Sequence, residues 1–159
     1  MDSGRELFEH ELRDMYDVEM KLVNALETMS NKVADEQLSR AFEEHREVTR
    51  RQAERLEQVF QLIDRAPRRE ACEGINGLIE EFSCFVKEDP SDAVLNVFAT
   101  GAAQKVEHYE IVAYKSLIKL ADQLGLSEAA ELFEQNLREE QETAQQLETL
   151  SEKLGQELS

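Results

Sequence analysis

The chain has 159 residues, 41% of them hydrophobic and 33% charged, with two prolines, six glycines and no tryptophan. Its net charge of −17, from 35 acidic and 18 basic side chains, repels phosphate backbones and argues against a nucleic-acid partner. No apolar run approaches the roughly 20 residues of a membrane span, and the polar, acidic start MDSGRELFEH is no secretory signal, so the expectation is one soluble, cytoplasmic domain over residues 1–159.

The predicted elements are all helical. The first runs from about Arg5 to Val33, with Phe8, Leu12, Met15, Leu22, Leu26 and Met29 at helical spacing and Asp2 or Ser3 as its cap. The second begins after Asp35, carries Leu38, Phe42, Leu56, Val59 and Phe60, and is expected to stop near Ala66-Pro67, where proline disfavours continuation. Between residues 65 and 91 a shorter helix is marked by Ile75, Leu78, Ile79, Phe82 and Phe85; Cys72 and Cys84 read as small apolar residues beneath it.

The run KEDPSD ends that helix, and Ser91 or Asp92 caps the next, spanning about Ala93 to Leu124. Gly125 is a natural stop and Ser127 opens the last helix, which continues through Leu132, Phe133, Leu137, Leu147, Leu150 and Leu154. The short links place the first two long helices side by side and antiparallel, and likewise the last two. The fold class that follows is an all-α antiparallel four-helix bundle with a short fifth helix in the crossover.

Advancing each helix by about 100° per residue shows which polar residues fall on the apolar stripes. They are Glu19 in the first helix, His45 in the second, Glu110 with Glu107 at its edge in the third long helix, and Glu140 in the fourth. Each lies near the middle of its helix, and in an antiparallel bundle the midpoints share one level. Buried carboxylates are costly unless something pairs with them. Iron or manganese supplies the missing positive charge and accepts both carboxylate oxygen and imidazole nitrogen. His10, His108 and Glu139 fall off the stripes and are expected at the surface.

The stretches LFEHELRDMYDVEMKL, FEEHREVTRRQAERLE, CEGINGLIEEF, AAQKVEHYEIVAYKSLIKLADQLGL and LREEQETAQQL resemble the YciE/YciF-type proteins of the ferritin-like superfamily, in order and over nearly the whole chain. The resemblance implies a ferritin-like bundle, a homodimer, a stress-associated role and a rubrerythrin-like di-metal site; the first reading is that such a site, holding Fe or Mn, handles oxygen or peroxide. Its metal ligands would be Glu19, His45, Glu107, Glu110 and Glu140, with Tyr16, Tyr109 or Tyr114 as nearby donors.

Two positions depart from the family pattern. Val48 stands where a second acidic residue follows the histidine, and Ala144 where some relatives have aspartate. These losses trim ligand capacity, and with them stands the alternative of a metal-free helical dimer with a structural or protein-interaction role.

Overall fold

A computed structural model describes residues 1–158 as five helices: α1 (Gly4–Lys32), α2 (Glu36–Leu62), α3 (Glu73–Val86), α4 (Asp92–Gln123) and α5 (Ser127–Gly155). The boundaries follow from identifiable caps. Ser3 accepts from the Glu6 amide while the Glu6 carboxylate reaches back to the Ser3 amide, a complete capping box. Asp35 caps α2 by accepting from Leu38 N at 2.8 Å, and Ser91 caps α4 through Val94 N. The last helix has no side-chain cap, because the residue at its N-cap is Leu126 and Ser127 already lies inside the helix.

Gly125, with φ of +70°, ends α4. Its amide donates to Asp122 O at 3.1 Å and that of Leu126 donates to Ala121 O at 2.9 Å, the paired bonds of a Schellman motif. The same motif stops α2 four residues before the expected proline boundary. Asp64 takes the left-handed conformation with φ of +55°, and Arg65 N turns back to Phe60 O at 2.9 Å. An aspartate in this role is uncommon enough that proline was the more visible signal.

α1 lies against α2 and α4 against α5; α2 with α5 and α1 with α4 close the four-helix bundle, while α3 packs on α4. The shared core is built from Phe8, Leu12, Met15, Phe42, Leu56, Tyr114, Leu117 and Phe133, all essentially fully buried. Each such side chain contributes about 1.5–3 kcal/mol relative to exposure. Among the described residues no helix is long and apolar enough to cross a membrane.

The linker after α2 is tied to α1 by ion pairs and by a backbone bond from Glu70 N to Arg13 O at 3.2 Å, while Ile63 and Cys72 at its ends are buried in the core. Arg65 reaches Glu9, Arg13 reaches Glu70, and Arg69 reaches Asp17. Arg65 and Arg69 of the basic cluster thus find acidic partners within the chain. Cys72 is buried, as expected, but Cys84 is exposed on the outer face of α3, where its thiol donates to Glu80 Oε1 at 3.3 Å. A short helix laid over a bundle presents only one stripe inward, and Cys84 misses it.

A candidate metal centre inside the bundle

All five residues expected at the centre of the bundle are buried: Glu19, Glu107, Glu110 and Glu140 at 1% exposure or less, and His45 at 5%. The structure brings four of them together. One ligand atom from each of His45, Glu107, Glu110 and Glu140 lies within 4.8 Å of the other three. α2 supplies the imidazole, the Glu-x-x-Glu of α4 presents two carboxylates from adjacent turns of one face, and α5 supplies the last from its midpoint.

Glu19 sits beside this group rather than in it. Its Oε1 accepts a short hydrogen bond from the hydroxyl of Tyr114, one turn beyond Glu110 on α4. Asn136 Nδ2 donates to the same hydroxyl at 3.1 Å and to Gln52 O at 3.3 Å. Asn136 Oδ1 in turn accepts from Arg55 at 2.8 Å. A continuous polar chain therefore runs from Arg55, near the surface, through Asn136 and Tyr114 to Glu19.

The inner group is unsatisfied. His45 Nε2 and Glu107 Oε1 approach to 2.9 Å, yet their orientation is not that of a hydrogen bond. Among the described residues, both oxygens of Glu107, Glu110 and Glu140, both nitrogens of His45, Oε2 of Glu19 and Oε1 of Gln52 are buried with no hydrogen-bond partner while the carboxyls are ionised; only a shared proton links Glu107 to Glu140, Glu110 to Glu140 or Glu19 to Glu110. Each orphaned buried polar group costs about 1–3 kcal/mol, more when charged. Native proteins carry few such groups and keep them for a reason.

The electrostatics point the same way. Burial, with the Glu140 charge adding to it, pushes the Glu19 carboxyl up to about 8. Burial likewise raises Glu107 to about 8, the Glu19 charge contributing. Burial drives Glu110 well above the usual carboxylate range, with the Glu140 charge adding to it, and drives Glu140 above it with the Glu107 charge adding. The imidazole of His45 is held below its ordinary value by burial, against the opposing pull of Glu140 and Glu19. A neutral imidazole among carboxylates that cannot all ionise together is a donor set that a divalent cation would complete. The residues present fit such an ion: imidazole nitrogen and carboxylate oxygen are donors for iron, manganese or zinc.

The surroundings sort the remaining candidates. Tyr114 is the tyrosine that reaches the group; burial and the nearby carboxylates raise its hydroxyl far above the usual range. Tyr16 donates to Glu57 at 2.8 Å and is raised to about 12 by burial and that bond. Tyr109 pairs with Cys72 Sγ at 3.0 Å. Thr49 back-bonds to His45 O at 2.8 Å, a structural role. His108 and Glu47 are exposed and His10 is half-exposed, while Glu139 pairs with Arg55 at the bundle edge.

Val48 is half-buried and lines, with His45, Arg51, Thr143 and Lys153, a cleft of about 1050 Å³ between α2 and α5. His45 is thus the member of the group that borders this cleft. Helical spacing alone did not reveal Asn136, although it precedes Glu140 by four residues and so shares its face. Nor did it reveal Asp17, which joins Lys21 of its own helix to Arg69 and the Cys72 amide of the linker.

Comparison with known proteins matches this architecture. Residues 3–158 match the family described as Domain of unknown function (DUF892). The chain is 38% identical over 144 residues to Protein YciF of Escherichia coli, covering 90% of this chain and 87% of that one. The crystal structure of the E. coli stress protein YciF superimposes with a TM-score of 0.94 at 36% identity, over 98% of this chain and 99% of that chain. YcfI from Rhodopseudomonas palustris does so with a TM-score of 0.91 at 35% identity, over 93% and 94%. With its ferritin-like helical bundle and its match over nearly every residue, the chain belongs to the DUF892 family that includes YciF.

Proposed function

We propose that this chain binds a divalent transition metal, iron or manganese, within its bundle and uses it to handle oxygen or peroxide during stress. The observation that carries the reading is the set of orphaned, buried carboxylate and imidazole atoms converging from three helices. His45, Glu107, Glu110 and Glu140 would hold the metal, with Glu19 beside them. Such an ion supplies a Lewis-acidic, redox-active centre with positions open to small molecules.

The chain's own residues do the rest. The core around Met15, Phe42 and Phe133 excludes water, the α2–α5 cleft gives small molecules an approach to His45, and Tyr114 holds a proton at Glu19 Oε1. The stress connection rests on the E. coli relative, described as a stress protein. A cytoplasmic homodimer is the form in which we expect the chain to act.

A second reading, a metal-free dimer with a structural or protein-interaction role, is favoured by the Rhodopseudomonas relative, described as "a putative structural protein", and by Val48 and Ala144 in place of acidic side chains. Metal analysis separates the two. Protein purified without chelator should carry near-stoichiometric iron or manganese by mass spectrometry, and Glu110→Ala should stay folded and carry none. Parent protein that is empty and refuses added Fe(II) and Mn(II) would decide for the structural reading.

A further inference from the structure

The donors on the four long helices determine how many ions the centre takes, an inference that rests on the metal-binding reading above. A two-ion carboxylate centre draws one Glu from each of two helices and a Glu-x-x-His pair from each of the other two. On this chain the α2 pair would occupy positions 42 and 45, and the α5 pair positions 140 and 143. His45 and Glu140 are in place. Position 42, however, is Phe42, a fully buried ring in the hydrophobic core, and position 143 is Thr143, half-buried on the wall of the α2–α5 cleft. Because α4 supplies both Glu107 and Glu110, the bundle keeps four carboxylates, but it has one imidazole where the two-ion set has two, and an apolar ring stands at the α2 carboxylate place.

The remaining donors gather instead of spreading. Glu110 joins Glu107, His45 and Glu140 so that one ligand atom from each lies within 4.8 Å of the others. Donors about 2.0–2.2 Å from a single ion are at most about 4.4 Å apart, so these four need only a slight contraction to surround one. Glu19, which a second ion would require, is not one of these four, although its unpaired Oε2 lies in the same buried polar core beside Glu110. Its Oε1 is engaged by Tyr114, and Tyr114 is fixed in turn by Asn136.

We propose that this chain binds one divalent cation rather than two, through His45, Glu107, Glu110 and Glu140, with Glu19 kept as a Tyr114-anchored carboxyl that does not ligate. The test is a count. Chelator-stripped full-length protein is titrated with Mn(II), free ion being followed by electron paramagnetic resonance and bound ion by calorimetry. One ion per chain is expected, with the spectrum of an isolated Mn(II) and no sign of a spin-coupled pair. Glu19→Gln should still bind one, and Glu110→Ala none.

Two ions per chain in the parent, or loss of the ion in folded Glu19→Gln, overturns the single-ion assignment while leaving the metal-binding reading standing. No ion bound by the parent overturns both.

Discussion

Asp17 and Glu19 lie two residues apart on α1, both almost fully buried, on different faces of the same helix, and the protein treats them in opposite ways. Asp17 faces the linker and α3. It accepts from Cys72 N at 3.0 Å and from Arg69 at 2.9 Å, and pairs with Lys21 at 2.6 Å. Burial pushes its carboxyl up, but Lys21, the Cys72 amide and Arg69 outweigh that and hold it below its ordinary value. Glu19 faces the bundle axis, meets other carboxylates, and is raised to about 8 by burial and the Glu140 charge.

The difference teaches what burial of a carboxylate means in this molecule. Where the chain provides its own cations, the carboxylate is an anchor that ties the crossover to the bundle. Where it provides none, four glutamates and a histidine remain short of positive charge, and the deficit is a property of the whole centre rather than of one misplaced residue. Sequence position, residue type and burial are nearly the same for both; the partners decide.

The largest expected effect is on the pH dependence of the metal-free protein. A carboxyl whose folded pKa is raised stabilises the fold below its unfolded value and loses that contribution as pH rises through the folded value. For Glu19 and Glu107 the window runs from about 4.5 to about 8. Protein in chelator should therefore lose stability across this range, on the order of several kcal/mol. Added Mn(II) should reverse the trend, because an ion binds the ionised carboxylates and competes with protons. Melting curves at fixed ionic strength between pH 5 and 8, with and without Mn(II), check both halves; a flat chelator profile would mean the centre is satisfied in some other way.

A smaller effect is expected from Asp17→Asn. The amide cannot pair with Lys21 and Arg69, and hydrogen bonds to charged groups are worth about 1.5–3 kcal/mol. Because Arg69 is half-exposed and regains water, a loss near 2 kcal/mol is expected, read by denaturant melts at neutral pH. Since the folded pKa of Asp17 is lowered, its contribution is present above the unfolded value and lost as pH falls through the folded one. The parent and Asp17→Asn should therefore converge in acid. A difference that persists undiminished at pH 2 would show that the anchor works through packing and not through charge.

Much of this contrast was legible in the sequence, but only one side of it. The convergence of His45, Glu107, Glu110 and Glu140 follows from helical spacing and the common midpoint of antiparallel helices, both local properties that a stripe analysis captures. The caps at Ser3, Asp35 and Ser91 and the stop at Gly125 are equally local. The anchoring role of Asp17 was not legible, because beyond its i,i+4 neighbour Lys21 its partners Arg69 and the Cys72 amide lie more than 50 residues away in a segment without periodicity. The same holds for the Arg55–Asn136–Tyr114–Glu19 chain, which joins four helices through side-chain directions that spacing does not specify. Val48, at an acidic position of the family pattern, lines the open cleft between α2 and α5.

The smallest expected effect tests how tightly the anchored region is packed. Asp17 fixes the Cys72 amide at the start of α3, and two residues on Gly74 lies under the ring of Tyr109. A Cβ at position 74 would meet Tyr109 Cε2 at 2.8 Å and its hydroxyl at 2.9 Å. Alanine is favoured over glycine inside a helix by up to about 1 kcal/mol, whereas forcing an extra carbon into a packed contact costs about 1–3 kcal/mol. The ring would also be displaced from Cys72 Sγ. Gly74→Ala should thus destabilise by about 1 kcal/mol, lowering the melting temperature by about 2–4 °C. In a Tyr109→Ala background the obstruction is gone and the same substitution should become neutral or stabilising, so the two changes are coupled in a double-mutant cycle. Additive effects would mean that Tyr109 swings away freely and that its ring does not fix the start of α3, which would then rest on the Asp17 contacts and on Phe82 and Phe85 stacked against Phe98 of α4.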